Sequence, residues 1–177
     1  MKRVRMVVAY DGTAYRGWQL QPNGITIEEV LNRELTALLK EPISVIGASR
    51  TDSGVHARGN VAVFDMENRM PADKICFALN QRLPEDIRVQ SSEEVPADWH
   101  PRKANCTKTY EYKVLNRKIS MPLERLYAHF CYFNLDLDKM REAAVYLVGE
   151  HDFKSFCTVR TQAEETVRTI YSLDITK

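Results

Sequence analysis

The residues of this sequence that are best suited to chemistry lie in residues 47–59, a short segment centred on Asp52. The segment is rich in Gly, Ser, Asp and Arg, and it separates two strand-like runs, 43–46 and 60–66. A carboxylate flanked by arginines, on a loop held between strands, is a favourable place for a nucleophile or a base. The same residues are also typical of an Asx-turn, in which Asp52 caps its own backbone. The local pattern leaves both interpretations open.

The composition predicts an ordinary globular protein. With 177 residues, the chain can bury one substantial core or two small ones. Hydrophobic residues make up 44% and charged residues 28%, which excludes a disordered tail. No apolar run approaches the ~20 residues of a membrane span. The amino terminus lacks a signal-peptide core, so we expect no membrane contact and a cytoplasmic location. The four cysteines and four histidines are widely spaced, which predicts reduced thiols and no metal.

The charged residues are unevenly distributed along the chain. The formal net charge of +1 does not by itself indicate a nucleic-acid-binding protein. Residues 100–118, however, contain six basic residues against the single acid Glu111, whereas residues 85–98 contain five acids and one base, Arg88. This segregation permits a positive groove, but it equally fits a solvated surface.

Hydrophobic periodicity predicts the order β-α-β-β-α-β for residues 1–100, which is the split βαβ arrangement of a ferredoxin-like domain. Thr26 and Glu29 form a capping box at the start of the first helix, and Pro42 follows its end. Both helices should cover one face of the sheet and leave the other face open for a ligand. The predicted strands are 4–10, 43–46, 60–66 and 87–90, and the predicted helices are 27–38 and 71–83.

The loop after the first strand, residues 11–24, contains Tyr15 and Trp18 beside Arg16. Exposed aromatic side chains beside arginine suit stacking on unpaired bases. A tryptophan in a loop can instead close the edge of a core. The sequence supports both interpretations.

Residues 101–177 predict a second half with the order β-β-α-β. The expected strands are 110–115, 127–133 and 167–175, and the expected helix, 137–148, has Gly149 as its carboxy-terminal cap. No second helix covers this sheet, so we predict an α+β fold of two ferredoxin-like halves, 1–100 and 101–177, with a mainly antiparallel sheet and an incomplete second half. A chain that ends inside an alternating strand is expected to lack a section.

Four segments resemble, in the same order, the motifs of the tRNA pseudouridine synthase A family. Residues 50–56 resemble its RTD-x-GVH motif, although Ser49 and Ser53 stand where the family commonly has Gly and Ala. The other three segments are YDGTAYRGWQ at 10–19, KTYEY at 108–112 and DFKSF at 152–156. Together they span most of the chain.

This resemblance implies a pseudouridine synthase fold and an isomerase that converts uridine to pseudouridine in the anticodon stem-loop of tRNA. Asp52 would be the catalytic carboxylate, and Tyr110 would pack on the uracil ring. Arg50 would contact the target phosphate or fill the space left by the flipped base. The resemblance also implies a homodimer, and a further section that supplies part of the active site. We therefore expect the 177 residues alone to be inactive.

The reaction breaks a glycosidic bond, so it needs a carboxylate but no metal and no redox cofactor. Attack on ribose C1′, attack on uracil C6 and removal of a ribose proton all remain open as the first step. His56 is expected to support the loop rather than to act as an acid or base. Four further residues are candidate RNA contacts: Arg58, Arg102, Lys103 and Lys108.

Two other classes of function fit parts of the pattern. An RNA-recognition module would also use an open sheet with exposed aromatic side chains, but its RNP1 sequence is absent. A folding unit that binds nothing is the other alternative. Titration with labelled tRNA and an assay for pseudouridine would distinguish the three.

Overall fold

The computed structural model describes residues 1–157 and 165–177. The chain forms two compact units, Met1–Thr109 and Tyr110–Lys177. Along the chain, the boundary between the two units lies between residues 109 and 110, whereas the predicted boundary lies between 100 and 101. The functional division into halves at residue 100 stays a prediction.

The first unit has the predicted order β-α-β-β-α-β. Its four strands form one antiparallel sheet in the order β2-β3-β1-β4, which is the arrangement of a ferredoxin-like domain. This part of the predicted fold is confirmed. The elements are β1 (Lys2–Tyr10), α1 (Ile27–Leu39), β2 (Ile46–Gly47), β3 (Ala57–Met66), α2 (Ala72–Asn80) and β4 (Ile87–Val95).

The core of the first unit lies between the sheet and the two helices. Alternate residues of β1 from Val4 to Tyr10 are buried, as the period of a strand requires. The helix α1 begins at the predicted N-cap, where the Thr26 hydroxyl accepts a hydrogen bond from the Glu29 N–H at 3.3 Å. Its stripe of buried residues packs on the sheet, together with Ile75 and Leu79 of α2.

The opposite face of the sheet carries charged side chains that pair with one another. Arg3 donates two hydrogen bonds to the Asp65 carboxylate, at 2.8 and 2.7 Å, and these bonds hold the pKa of Asp65 below its usual value. Arg5 pairs with Glu93 and lies over the Trp99 ring, 5.9 Å from its centroid. Both arginines of β1 are therefore engaged within the first unit.

Strand β2 is shorter than predicted, and the reason is local. The Ile43 N–H donates to the Thr36 hydroxyl at 3.0 Å, and the Val45 N–H donates to the Asn32 side-chain oxygen at 2.8 Å. Two side chains of α1 therefore satisfy backbone groups that a strand would use in its ladder. Strand β4 is longer than predicted and contains an irregularity opposite Val7 and Val8.

In its described residues, the second unit contains two two-stranded sheets, one α-helix and two short 3₁₀ helices. The pair β5–β6 is parallel and the pair β7–β8 is antiparallel. Its elements are β5 (Val114–Asn116), β6 (His129–Cys131), α3 (Leu137–Val145), β7 (Gly149–Asp152) and β8 (Val167–Ile170). The incomplete second half is confirmed, but its first strand pair departs from the predicted antiparallel arrangement.

The order β-β-α-β was wrong by one strand, because β7 was not predicted. The N–H groups of Tyr146, Leu147 and Val148 bond to carbonyls three residues earlier, so the end of α3 tightens into 3₁₀ turns. Gly149, at φ +110°, then begins β7 instead of capping the helix. Strand β8 ends at Ile170, five residues before the predicted end at 175.

Burial differs sharply between the two units. Among the residues described in the second unit, Ala144 is the only one that is buried. Within the described parts of the chain, no helix has the length and apolar character needed to cross a membrane.

Candidate active site

Asp52 occupies the first position of a tight turn, residues 52–55. The Val55 N–H donates to the Asp52 backbone carbonyl at 3.1 Å, which closes the turn. Gly54 stands at the third position with φ +80°, the positive value that a type II turn requires there. A Cβ on Gly54 would meet open space, so the reason for glycine is conformational. The Asp52 side chain is exposed.

The Asp52 carboxylate makes no hydrogen bond or ion pair with any residue of 1–157 or 165–177. The Gly54 N–H, which an Asx-turn at Asp52 would use, donates instead to the Tyr15 carbonyl at 3.3 Å. The Asx-turn interpretation was therefore wrong. The turn closes without the Asp52 side chain, which leaves the carboxylate available to a substrate.

The segment that follows β1 holds this turn in place. The Trp18 N–H donates to the Thr51 carbonyl at 3.0 Å, and the Ser53 hydroxyl donates to the Tyr15 carbonyl at 3.2 Å. The Tyr10 hydroxyl lies 2.8 Å from the Thr51 hydroxyl. The motif at residues 10–19 and the motif at residues 50–56 therefore contact each other directly.

Two glycines allow this close approach. A Cβ on Gly12 would lie 2.0 Å from the Val55 carbonyl oxygen. Gly17 has φ +86°, and a Cβ there would lie 2.5 Å from the Thr51 carbonyl oxygen. Sequence reasoning did not find this role. The signal was present as two glycines in the loop after β1, but only the fold shows which backbone they face.

Tyr15 and Trp18 are buried rather than exposed. Trp18 is 1% exposed, and its ring centroid lies 5.9 Å from that of Tyr10. The ring packs against Gly47 so closely that a Cβ on this residue would lie 2.5 Å from it. Tyr15 is 6% exposed. Stacking of these two rings on RNA bases is therefore excluded by their burial, and the interpretation as closure of the core edge is confirmed.

Burial raises the pKa of both Tyr10 and Tyr15, and at Tyr15 a hydrogen bond to a carboxylate adds to this effect. Burial, and then the hydrogen bond to Asp86 at 2.6 Å, raise the pKa of Tyr15 well above its usual value. Burial also raises the pKa of Tyr10. Both phenols act as neutral parts of the scaffold near neutral pH rather than as bases.

Two polar side chains hold the base of the loop. The buried Asn60 donates to the Ser49 carbonyl at 3.0 Å, a role that the sequence did not suggest. Arg102 donates from Nε to the Gly47 carbonyl at 3.0 Å. Arg102 was predicted as an RNA contact, and the structure adds a second role in which one of its nitrogens supports the loop.

The other predicted site residues divide between the two units. Four of them are exposed in the first unit: Arg50, Arg58, Lys103 and Lys108. Arg50 precedes the turn that carries Asp52, and Arg58 lies at the start of β3. Tyr110 is the first residue of the second unit and is 82% exposed. Its contact with uracil stays a prediction.

A shallow cleft lies beside the loop, between the ends of β1, β3 and β4. Its lining carries both signs of charge, so it does not form a purely basic surface. Within the described ranges, no group of three or more His, Cys, Asp and Glu side chains is placed to hold a metal ion. The cleft is lined by Ala9, Tyr10, Asp11, Ala57, Arg58, Glu85, Asp86, Arg88 and Gln90.

The sequence matches a known family over most of its length. Residues 6–102 and 143–177 match the family described as tRNA pseudouridine synthase. The chain belongs to this family, whose members are isomerases.

Several curated relatives carry the name tRNA pseudouridine synthase A. The protein of that name from Brevibacillus brevis is 45% identical over 177 residues, which cover all of this chain and 72% of the relative. The protein from Thermoanaerobacter sp. strain X514 is 43% identical with the same coverage. That from Citrifermentans bemidjiense is 45% identical over 175 residues, or 99% of this chain and 70% of the relative. More than a quarter of each relative lies outside the alignment.

Proposed function

We propose that this chain carries the catalytic carboxylate of a tRNA pseudouridine synthase that modifies the anticodon stem-loop, and that this carboxylate is Asp52. The observation that carries the proposal is the state of the Asp52 side chain. It is exposed and lacks a partner in the described structure, while backbone hydrogen bonds of Thr51, Asp52, Gly54 and Val55 hold the turn that carries it. A side chain held ready by its backbone is suited to act on a bound substrate.

The reaction itself requires little beyond a carboxylate and a pocket. The bond between uracil N1 and ribose C1′ breaks, a bond between C5 and C1′ forms, C5 loses a proton and N1 gains one, so no oxidant or reductant is needed. A carboxylate can attack C1′, attack C6 or remove a ribose proton, and each route starts from a uridine turned out of the stem-loop. Arg50 would occupy the place of the flipped base or bind its phosphate, and Tyr110 would pack on uracil.

RNA binding is proposed to depend on basic side chains around the loop. Arg50 and Arg58 flank Asp52 along the chain, and Lys103 and Lys108 follow β4. Arg102 uses Nε on Gly47, which leaves the terminal nitrogens of its guanidinium for a phosphate. These residues would neutralise backbone phosphates and would not read sequence.

The proposed substrate can be tested with an extended chimera. We define the extended chimera as the 177 residues joined to the segments of the Brevibacillus brevis relative that lie outside the alignment. Incubation with unmodified tRNA, followed by mass mapping of pseudouridine, should find the product in the anticodon stem-loop. Product confined to another arm of tRNA would contradict the proposed position but not the chemistry.

The same assay asks whether the 177 residues suffice. We expect the chain alone to turn over tRNA at least about 100-fold more slowly than the extended chimera, because misplacement of catalytic groups by ~1 Å already costs that much. Equal rates would show that the whole active site lies between Met1 and Lys177.

A homodimer in the cytoplasm completes the proposal. The exposed apolar side chains of the second unit support association. Sedimentation of the extended chimera should give the mass of two chains, and a monomer at micromolar concentration would contradict the dimer.

A further inference from the structure

One ring nitrogen of His56 lies between two possible partners. Nδ1 of His56 is 3.1 Å from the backbone nitrogen of Gly12 and 3.0 Å from Oδ1 of Asp11. The side chains of His56 and Asp11 are each about one-third exposed. His56 directly follows the turn that carries Asp52, so this contact joins the turn to the end of β1.

The two contacts exclude each other chemically. An unprotonated Nδ1 accepts from the Gly12 N–H, whereas a protonated Nδ1 donates to the Asp11 carboxylate. Oδ1 of Asp11 already accepts a hydrogen bond from the Thr13 N–H at 3.0 Å, which closes an Asx-turn without help from His56. Gly12 is buried, so its N–H would lose more free energy without Nδ1 than the partly exposed Asp11 carboxylate would.

The bond to Gly12 coincides with the closest approach of the two segments. A Cβ on Gly12 would lie 2.0 Å from the carbonyl oxygen of Val55, the residue before His56. The spacing between the Asp11–Gly12 backbone and the Val55–His56 backbone therefore has little freedom. We call this contact the Gly12 seam.

We propose that His56 is a positioning residue that fixes the Gly12 seam through Nδ1, and thereby sets the place of the Asp52 turn. His56 does not act on the substrate. The link to catalysis rests on the proposed role of Asp52, but the hydrogen bond at the Gly12 seam is independent of that role.

Two variants of His56 distinguish its ring nitrogens. In His56→Asn the amide oxygen is bonded to Cγ, as Nδ1 is in histidine, and can accept from Gly12. In His56→Gln the amide lies one carbon further out, near the place of Nε2. If His56 acts through Nδ1, Asn should preserve the contact with Gly12 and Gln should not. If the ring only fills space, the larger Gln should preserve the contact at least as well as Asn.

Hydrogen exchange of the Gly12 amide in the 177-residue chain is the first readout. His56→Asn should leave the rate within about twofold of the original chain, and His56→Gln should raise it about tenfold, the value of one lost hydrogen bond. The Val8 amide in β1 serves as the folding control and should not change. Equal rates at Gly12 in all three proteins would overturn the proposal.

Nitrogen NMR of the unsubstituted chain gives a test that needs no variant. At a pH where the spectrum itself shows a neutral ring, His56 should carry its proton on Nε2 and leave Nδ1 bare. A proton on Nδ1 would mean that the ring serves Asp11 rather than Gly12, and this result would also overturn the proposal.

Turnover by the extended chimera completes the test. His56→Gln should lower kcat about 10- to 100-fold with an unchanged KM for tRNA, as expected for a misplaced catalytic group, and His56→Asn should stay within about threefold. Unchanged kcat in His56→Gln, together with faster exchange at Gly12, would show that the Gly12 seam does not position Asp52. Activity retained by Asp52→Asn would instead refute the proposed catalytic residue and leave the exchange result standing.

Discussion

The first unit buries its apolar side chains and the second unit does not. In the first, two helices cover one face of a four-stranded sheet, and side chains as large as Trp18 and Phe64 are fully buried. In the second, two-stranded sheets stand apart, and most large apolar side chains of its described residues are exposed. Isolated two-stranded sheets are marginally stable in water. The stability of this chain therefore resides in the first unit, which also holds the Asp52 turn.

The largest expected effect tests this contrast directly. Phe64→Ala in β3 should lower the free energy of unfolding by about 3–5 kcal/mol, because it leaves a cavity in a closed core. Tyr112→Ala, at a side chain that is 78% exposed, should change it by less than about 0.5 kcal/mol. Urea denaturation followed by circular dichroism measures both. Similar losses from the two substitutions would mean that the second unit shares the stability of the first.

A smaller effect is expected at the contact that holds the Asp52 turn. Gly17→Ala should cost about 2 kcal/mol or more, because it adds a collision with the Thr51 carbonyl to an unfavourable positive φ. Gly54→Ala is the matched control, since Gly54 also has a positive φ but open space around it. Its cost in the same denaturation experiment should be lower, about 1–2 kcal/mol. Equal costs would remove the close approach as the reason for Gly17.

Tyr15, the one of the two buried tyrosines whose pKa is raised more, predicts a loss of stability in alkali. The pKa of Tyr15 lies above that of an exposed phenol in the unfolded chain, so the stabilisation is complete below pH ~10 and is lost as the pH rises above it. Near pH 11 the loss should be about 1 kcal/mol. Tyr15→Phe should reduce this decline by about that amount, leaving the smaller contribution of Tyr10, and Tyr146→Phe, at an exposed tyrosine of the second unit, should not change it. A decline that persists in Tyr15→Phe would assign it to other groups.

The smallest effect concerns the basic residues that follow β4. Replacement of Lys103 and Lys108 by Ala should reduce the slope of log K against log salt for tRNA binding by about 2, if each neutralises one phosphate. Lys74→Ala with Lys139→Ala removes the same charge from other exposed sites as a control. An unchanged slope in the first pair would move the RNA-binding surface elsewhere.

The order of elements in the first unit could be predicted from the sequence because each one has a local signal. The alternation of β1, the Thr26 cap and the prolines that flank both helices act through neighbours in the chain. Strand β7 could not be predicted in this way, because a strand of four residues is defined only by its pairing, here with β8. Strand β2 was misplaced for a different long-range reason, because side chains of α1 bind the backbone that precedes it.

The candidate site shows the same limit. Asp52 was recognisable from its motif, but the burial of Tyr15 and Trp18 was not, because their loop has no periodicity to show which side faces the core. The roles of Gly12, Gly17 and Asn60 depend on backbone that lies more than ten residues away in the chain. Only the folded structure brings those partners together.

The central claim is that Asp52 is the catalytic carboxylate, and single-turnover kinetics of the extended chimera test it most directly. With saturating enzyme and labelled tRNA, Asp52→Asn should lower the rate by at least about 1,000-fold, because the amide cannot act as a nucleophile or a base. Its Kd for tRNA should stay within about threefold, because the change is isosteric and exposed. Asp73→Asn, the same change on the surface of α2, should react at the original rate. A rate for Asp52→Asn within tenfold of that control would contradict the account.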